Sequence, residues 1–129
     1  MGKLILSVDD DRDILDCLEL ILPTEGYSVI TSEEPENIKA DIAEYNPDLI
    51  LLDIQMGNYN GLEICKELKS LEDTRGIPVL ILSSDERIFE AVGKYDADGI
   101  VRKPFDINGL IAAIDKFLAA KIVSLPRAS

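Results

Sequence analysis

The chain contains no histidine, only two cysteines, no excess of positive charge and no long apolar run. Each absence removes a class of function. Without histidine, and without a CxxC pair, the usual zinc sites are excluded. So are the Ser-His and Cys-His pairs of nucleophilic catalysis. The cysteines, Cys17 and Cys65, both fall in helical patterns and read as reduced, buried thiols of a cytosolic protein. With 25 acidic against 13 basic residues the formal net charge is -12. A nucleic-acid surface needs a basic face and an acidic membrane repels an acidic protein, so neither partner is expected. No apolar run approaches the roughly 18 residues of a membrane span. Met-Gly-Lys leads directly into a strand-like run, so no signal peptide is expected.

What is present suits one domain. The 129 residues are 47% hydrophobic, enough for a single core and too much for a disordered chain. Short apolar runs alternate with amphipathic ones. Leu4 to Val8 reads as a strand, followed by a helix carrying Ile14, Leu15, Leu18, Ile21 and Leu22 and ended by Pro23 and Gly26. Tyr27 to Thr31 reads as a second strand. Pro35 suits the first turn of a helix with Ile38, Ile42 and Tyr45 on its apolar stripe. Leu-Ile-Leu-Leu within Asp48–Asp53 fits a strand buried on both faces, and Val79–Leu82 repeats that pattern. Between them, a loop with Gly57 and Gly61 precedes a helix marked by Leu62, Cys65, Leu68 and Leu71. Ile88, Phe89 and Val92 suggest a fourth helix. Gly99–Arg102 reads as a fifth strand. Asp106 caps a last helix with Leu110, Ile111, Ile114, Phe117 and Leu118 inward.

Five strands alternating with five helices imply an α/β fold, a doubly wound parallel sheet with helices on both faces and right-handed crossovers. In such sheets the chemistry lies beyond the carboxyl ends of the strands, at the switch point. There the sequence places Asp9, Asp10 and Asp11 after the first strand, Asp53 after the third, Ser83-Ser84 after the fourth and Lys103-Pro104 after the fifth. If strands one and three are neighbours, Asp9, Asp10 and Asp53 converge. Three close carboxylates repel, and at least one pKa rises unless a cation compensates. Magnesium, which takes few carboxylates and keeps several waters, suits such a cluster. Helix capping is the competing explanation for the aspartate run. A Ser83 hydroxyl can bond a phosphoryl oxygen on Asp53, and Lys103 can offset its charge. Singly, an ordinary cap and a solvated lysine explain these two as well.

Two other motifs fail on their own spacing. An EF-hand beginning at Asp9 needs glycine and glutamate where Ile14 and Leu20 stand. A haloacid-dehalogenase-like phosphatase needs a second aspartate where Gln55 stands. A flavodoxin-like cofactor protein needs a phosphate-cradling loop after strand one, where Asp9-Asp10-Asp11 would repel the phosphate.

Taken jointly, the acidic pair, the strand-ending Asp53, the Ser83 hydroxyl, Lys103-Pro104, and Gly61 eight residues beyond Asp53 resemble the CheY-like response-regulator receiver family. The resemblance covers roughly residues 3 to 120 and implies a flavodoxin-like five-stranded sheet of order 2-1-3-4-5. It implies a receiver domain over 1–121 with a short tail over 122–129. It further implies that Asp53 is the phosphoacceptor. Asp9, Asp10, Asp53 and the backbone carbonyl of Gln55 would be magnesium ligands, Ser83 the switch hydroxyl and Lys103 the phosphate contact. The Lys103-Pro104 bond is usually cis in this family. The implied protein is a cytoplasmic phosphoacceptor, limited as a catalyst to magnesium-dependent self-phosphorylation and slow autodephosphorylation. Its partners would be a histidine kinase or histidine phosphotransfer protein and a downstream effector, with the chain a monomer or weak homodimer. The rival is a pseudo-receiver, an interaction module that works without phosphate.

Some positions depart from the family pattern. Gly57 stands where proline is usual, which should loosen the loop after Asp53. Ile100 replaces the usual aromatic of strand five. Asp96 stands where glycine is common and must tolerate a left-handed conformation. Gln55, Ser84 and Asp85 occupy positions expected to set the phosphate lifetime. Asp11 is expected to be peripheral.

Overall fold

The computed structural model describes residues 2–123, with side chains described through Leu118. The five strands are β1 (Leu4–Val8), β2 (Ser28–Ser32), β3 (Leu49–Leu52), β4 (Val79–Ser83) and β5 (Gly99–Arg102). All pair in parallel, in the order β2-β1-β3-β4-β5. The alternation of elements implied a doubly wound parallel sheet, and this is the flavodoxin-like strand order that the family resemblance implied. The continuous apolar runs of β3 and β4 are buried at every residue, as central strands covered on both faces must be.

The helices are α1 (Arg12–Ile21), α2 (Ile38–Tyr45), α3 (Gly61–Ser70), α4 (Ala91–Tyr95) and α5 (Ile107–Val123). They divide the core in two. One cluster joins Leu18 of α1, Leu22 just beyond it, and Leu110, Ile114 and Leu118 of α5 to one face of the sheet. The other joins Ile38, Ile42, Leu62, Cys65, Leu68, Ile88 and Ala91 to the opposite face. At about 25 cal/mol per Å² of apolar surface, these two layers supply most of the driving force. Gly26, at φ 90°, closes the turn after α1. Asp96, at φ 65°, adopts the left-handed conformation expected of it. Asp106 caps α5, accepting from the amides of Asn108 and Gly109. Beyond Val123 the expected tail lies outside the described residues.

Besides Tyr45 and Leu71, which are exposed rather than inward, with Leu71 just beyond α3, two segments differ from the sequence expectation. The loop after Asp53 is a tight β-hairpin, Gln55–Met56 paired antiparallel with Tyr59–Asn60. Gly57 enters its two-residue turn at φ 60°. Proline, fixed near -65°, could not take that position, so glycine here specifies a turn rather than loosening a loop. The fourth helix begins as a 3-10 turn, Glu86–Glu90, before α4. In a 3-10 turn residues three apart eclipse. Ile88 and Ala91 therefore face the core together, while Phe89 and Val92 are 62% and 51% exposed. The expected stripe of Ile88, Phe89 and Val92 mixes these two faces.

Candidate functional site

Sheet register brings the site together. Val8 pairs with Leu52, so Asp9 and Asp53 emerge side by side, with the Asp53 amide donating to the Val8 carbonyl. Ser83 pairs with Arg102, and the next amide, of Lys103, donates to the Ser83 carbonyl. Lys103-Pro104 is cis. The helix that follows the hairpin presses directly on β3. A Cβ added to Gly61 would sit 1.7 Å from the Asp53 carbonyl oxygen, so only glycine allows this approach.

Asp9, Asp10 and Asp53 each offer a carboxylate oxygen, all within 4.8 Å of one another. Asp9 and Asp53 are buried and Asp10 is exposed. The Lys103 ammonium lies 2.8 Å from Asp9 and 3.6 Å from Asp53, with its side chain only 13% exposed. Asp53 also accepts the Ile54 amide at 2.8 Å. Asp9 accepts the Asp11 amide at 2.9 Å. The Asp9 carboxyl is nonetheless pushed up to about 6. Burial is the largest cause and Asp53 adds to it, while Lys103 and the Asp11 amide pull the other way. A raised pKa was expected from mutual repulsion; desolvation turns out to matter more. One ammonium does not compensate three carboxylates. A closely spaced set of hard oxygen donors of this charge fits a divalent cation of the magnesium or calcium kind.

The competing explanation by capping applies to a different residue of the run. Asp11 is the N-cap of α1, accepting from the amides of Asp13 and Ile14. It is peripheral to the cluster, as expected. Ser83 is buried and its hydroxyl accepts the Asp85 amide at 3.1 Å. Ile100 is half-buried and packs against the core layer of α3 and α4. Arg102 places its guanidinium 5.1 Å above the Phe89 ring, beside it on the surface. A recess of about 510 Å³ lies at the amino ends of β3 and β4, between Ile42, Asn46, Leu71 and Ile77. It is far from this chemistry.

The sequence did not single out Arg87. Its guanidinium bonds both Asp85 carboxylate oxygens and reaches the Gln55 side-chain oxygen at 2.9 Å. It thereby connects the hairpin after Asp53 to the turn after Ser83. The Asp85-x-Arg87 spacing hints at the first contact; nothing local announces the second. This pairing holds the Asp85 carboxyl down at about 2.

Known proteins resemble this chain in sequence and fold. A family model described as the response regulator receiver domain matches residues 5–115. Response regulator MprA of Mycobacterium leprae (strain TN) is 35% identical over 116 residues, covering 88% of this chain and 50% of that protein. The chain thus spans about half the length of the curated relatives it matches. The signal receiver domain of a signal transduction histidine kinase from Syntrophus aciditrophicus superposes with a TM-score of 0.84 at 27% identity, over 99% of this chain and 97% of that one. The BeF3-activated DrrB receiver domain superposes with a TM-score of 0.79 at 30% identity, over 92% of this chain and 99% of that one. Among the described residues, no helix is long and apolar enough to cross a membrane.

Proposed function

The chain belongs to the response regulator receiver domain family, and on that premise we propose that Asp53 accepts a phosphoryl group from a phosphohistidine on a partner protein. The observation that carries this reading is the convergence of Asp9, Asp10 and Asp53 within 4.8 Å, with Lys103 between two of them.

The chemistry follows from these groups. An Asp53 carboxylate oxygen forms the new P–O bond in line with the P–N bond of the donor, which breaks. The imidazole leaves and takes its proton from solvent. Lys103 turns from its two carboxylates to the equatorial phosphoryl oxygens, whose charge it offsets as a compact point charge. A magnesium ion, held by Asp9, Asp10, Asp53 and the Gln55 carbonyl, would supply the remaining charge neutralisation. The product is an aspartyl phosphate. The Ser83 hydroxyl goes on accepting the Asp85 amide and donates its own proton to a phosphoryl oxygen. That draws the segment between β4 and α4 inward and biases a two-state equilibrium of this surface. The partners are a histidine kinase or histidine phosphotransfer protein as donor and an effector protein or domain as recipient of the signal. Catalysis is confined to self-phosphorylation and slow loss of the phosphate. Support for the activated state comes by analogy from the BeF3-activated DrrB domain, a 30% identical relative.

Incubation with phosphoramidate and magnesium, followed by intact mass, tests this. One phosphoryl adduct is expected, lost in Asp53→Asn. No adduct would overturn the reading in favour of a pseudo-receiver interaction module.

A further inference from the structure

Gln55 and Asp85 flank the mouth of the site from opposite sides. Gln55 lies two residues past Asp53 on the hairpin, and Asp85 two residues past Ser83 on the next turn. Arg87 ties them together. Its Nη2 lies 2.9 Å from the Gln55 oxygen and 2.6 Å from Asp85 Oδ2, and its Nε bonds both Asp85 oxygens at 3.0 and 3.1 Å. A planar fork can hold a carboxylate with two donors and still present a donor elsewhere; an ammonium cannot match that geometry. The turn is itself fixed locally, because Asp85 also accepts the Arg87 amide and donates its own amide to Ser83.

Hydrolysis of an aspartyl phosphate needs water in line with the bond to Asp53, and therefore from the solvent side of the phosphorus. Ser84, small and exposed, follows the Ser83 hydroxyl at the end of β4 and precedes Asp85. We infer that Arg87 is a positioning residue that straps Gln55 to Asp85 across this approach and so prolongs the life of the phosphorylated state. The inference rests on the phosphoacceptor reading. Arg87 acts through its two partners; its ion pair is with Asp85. The low pKa of Asp85 means the strap stays charged throughout the physiological range.

The test is the loss of phosphate from chain preloaded with phosphoramidate, freed of donor and held in excess magnesium, followed by intact mass. Arg87→Ala should shorten the half-life roughly three- to tenfold, the scale of an exposed charged contact. Arg87→Lys should behave like Arg87→Ala, because it keeps the charge and loses the fork. Gln55→Ala should add little once Arg87 is gone, so the double variant should decay no faster than Arg87→Ala. A merely structural role would not give that non-additivity. A half-life within 1.5-fold of wild type in Arg87→Ala, or a longer one, would overturn the role of Arg87 while leaving Asp53 as acceptor (about 0.2 kcal/mol separates such rates). Full additivity with Gln55→Ala would overturn it too. A wild-type chain that takes no phosphate would overturn the phosphoacceptor reading, and this inference with it.

Discussion

Asp9→Asn keeps the shape of the side chain and removes its ionisation. The wild-type carboxyl is held at about 6 against an ordinary 3.8, chiefly by burial. The folded state therefore favours the proton more than the unfolded chain does. For an acid raised in this way, the stabilisation is complete below 3.8 and is lost as pH climbs through about 6. At about 1.4 kcal/mol per tenfold change in proton affinity, the loss by neutral pH is on the order of 3 kcal/mol. That is a large share of a typical domain's 5–15 kcal/mol, roughly. Urea unfolding in EDTA at several pH values between 4 and 7.5 reads it directly. Other titrating groups are common to both proteins, so the gap between wild type and Asp9→Asn isolates this carboxyl. Wild type should lose most of the 3 kcal/mol relative to the variant across that range. With a urea slope of about 1–3 kcal/mol per molar, the relative midpoint moves by roughly one to two molar. Parallel pH profiles would refute the reasoning, as would a wild type that gains on the variant with rising pH.

Two further outcomes come from the same site. Magnesium should raise the urea midpoint of wild type at pH 7.5 by mass action and do so far less at pH 5, where Asp9 is largely protonated; equal effects at the two pH values would contradict the ligand role of Asp9. Gly61→Ala must displace the Asp53 carbonyl, 1.7 Å from the new Cβ, at a cost of about 2–4 kcal/mol; an unchanged melting temperature would show that α3 need not approach Asp53 this closely.

Much of this molecule was legible because its site is written at strand ends. Asp9, Asp53, Ser83 and Lys103 each stand at the carboxyl end of a short strand, and the topology of alternating elements leaves one place for them to meet. The core was legible for the same reason: β3 and β4 carry no polar residue before Ser83. What escaped depends on phase and on contacts distant in sequence. Phe89 and Val92 look inward on an α-helical wheel and turn outward on a 3-10 start. Gly57 reads as slack until its positive φ places it in a hairpin turn. Arg87 meets Gln55 across 32 residues, a relation no local pattern encodes. A raised carboxyl was foreseen for at least one of Asp9, Asp10 and Asp53, but its principal cause at Asp9 is a degree of burial that only packing sets.

The alternation of side chains along the strands has a consequence for how a signal would travel. Leu49 and Leu51 belong to the layer of α1 and α5, and Asp53 continues their phase. Val79 and Ile81 belong to the layer of α3 and α4, and Ser83 continues theirs. Asp53 and the Ser83 hydroxyl thus stand on opposite sides of a partition one strand thick. A hydrogen bond from Ser83 to a phosphoryl group on Asp53 would act as a rivet through that partition. An event received by one half of the core would be felt as traction in the other, at the one edge of the sheet where the two halves meet.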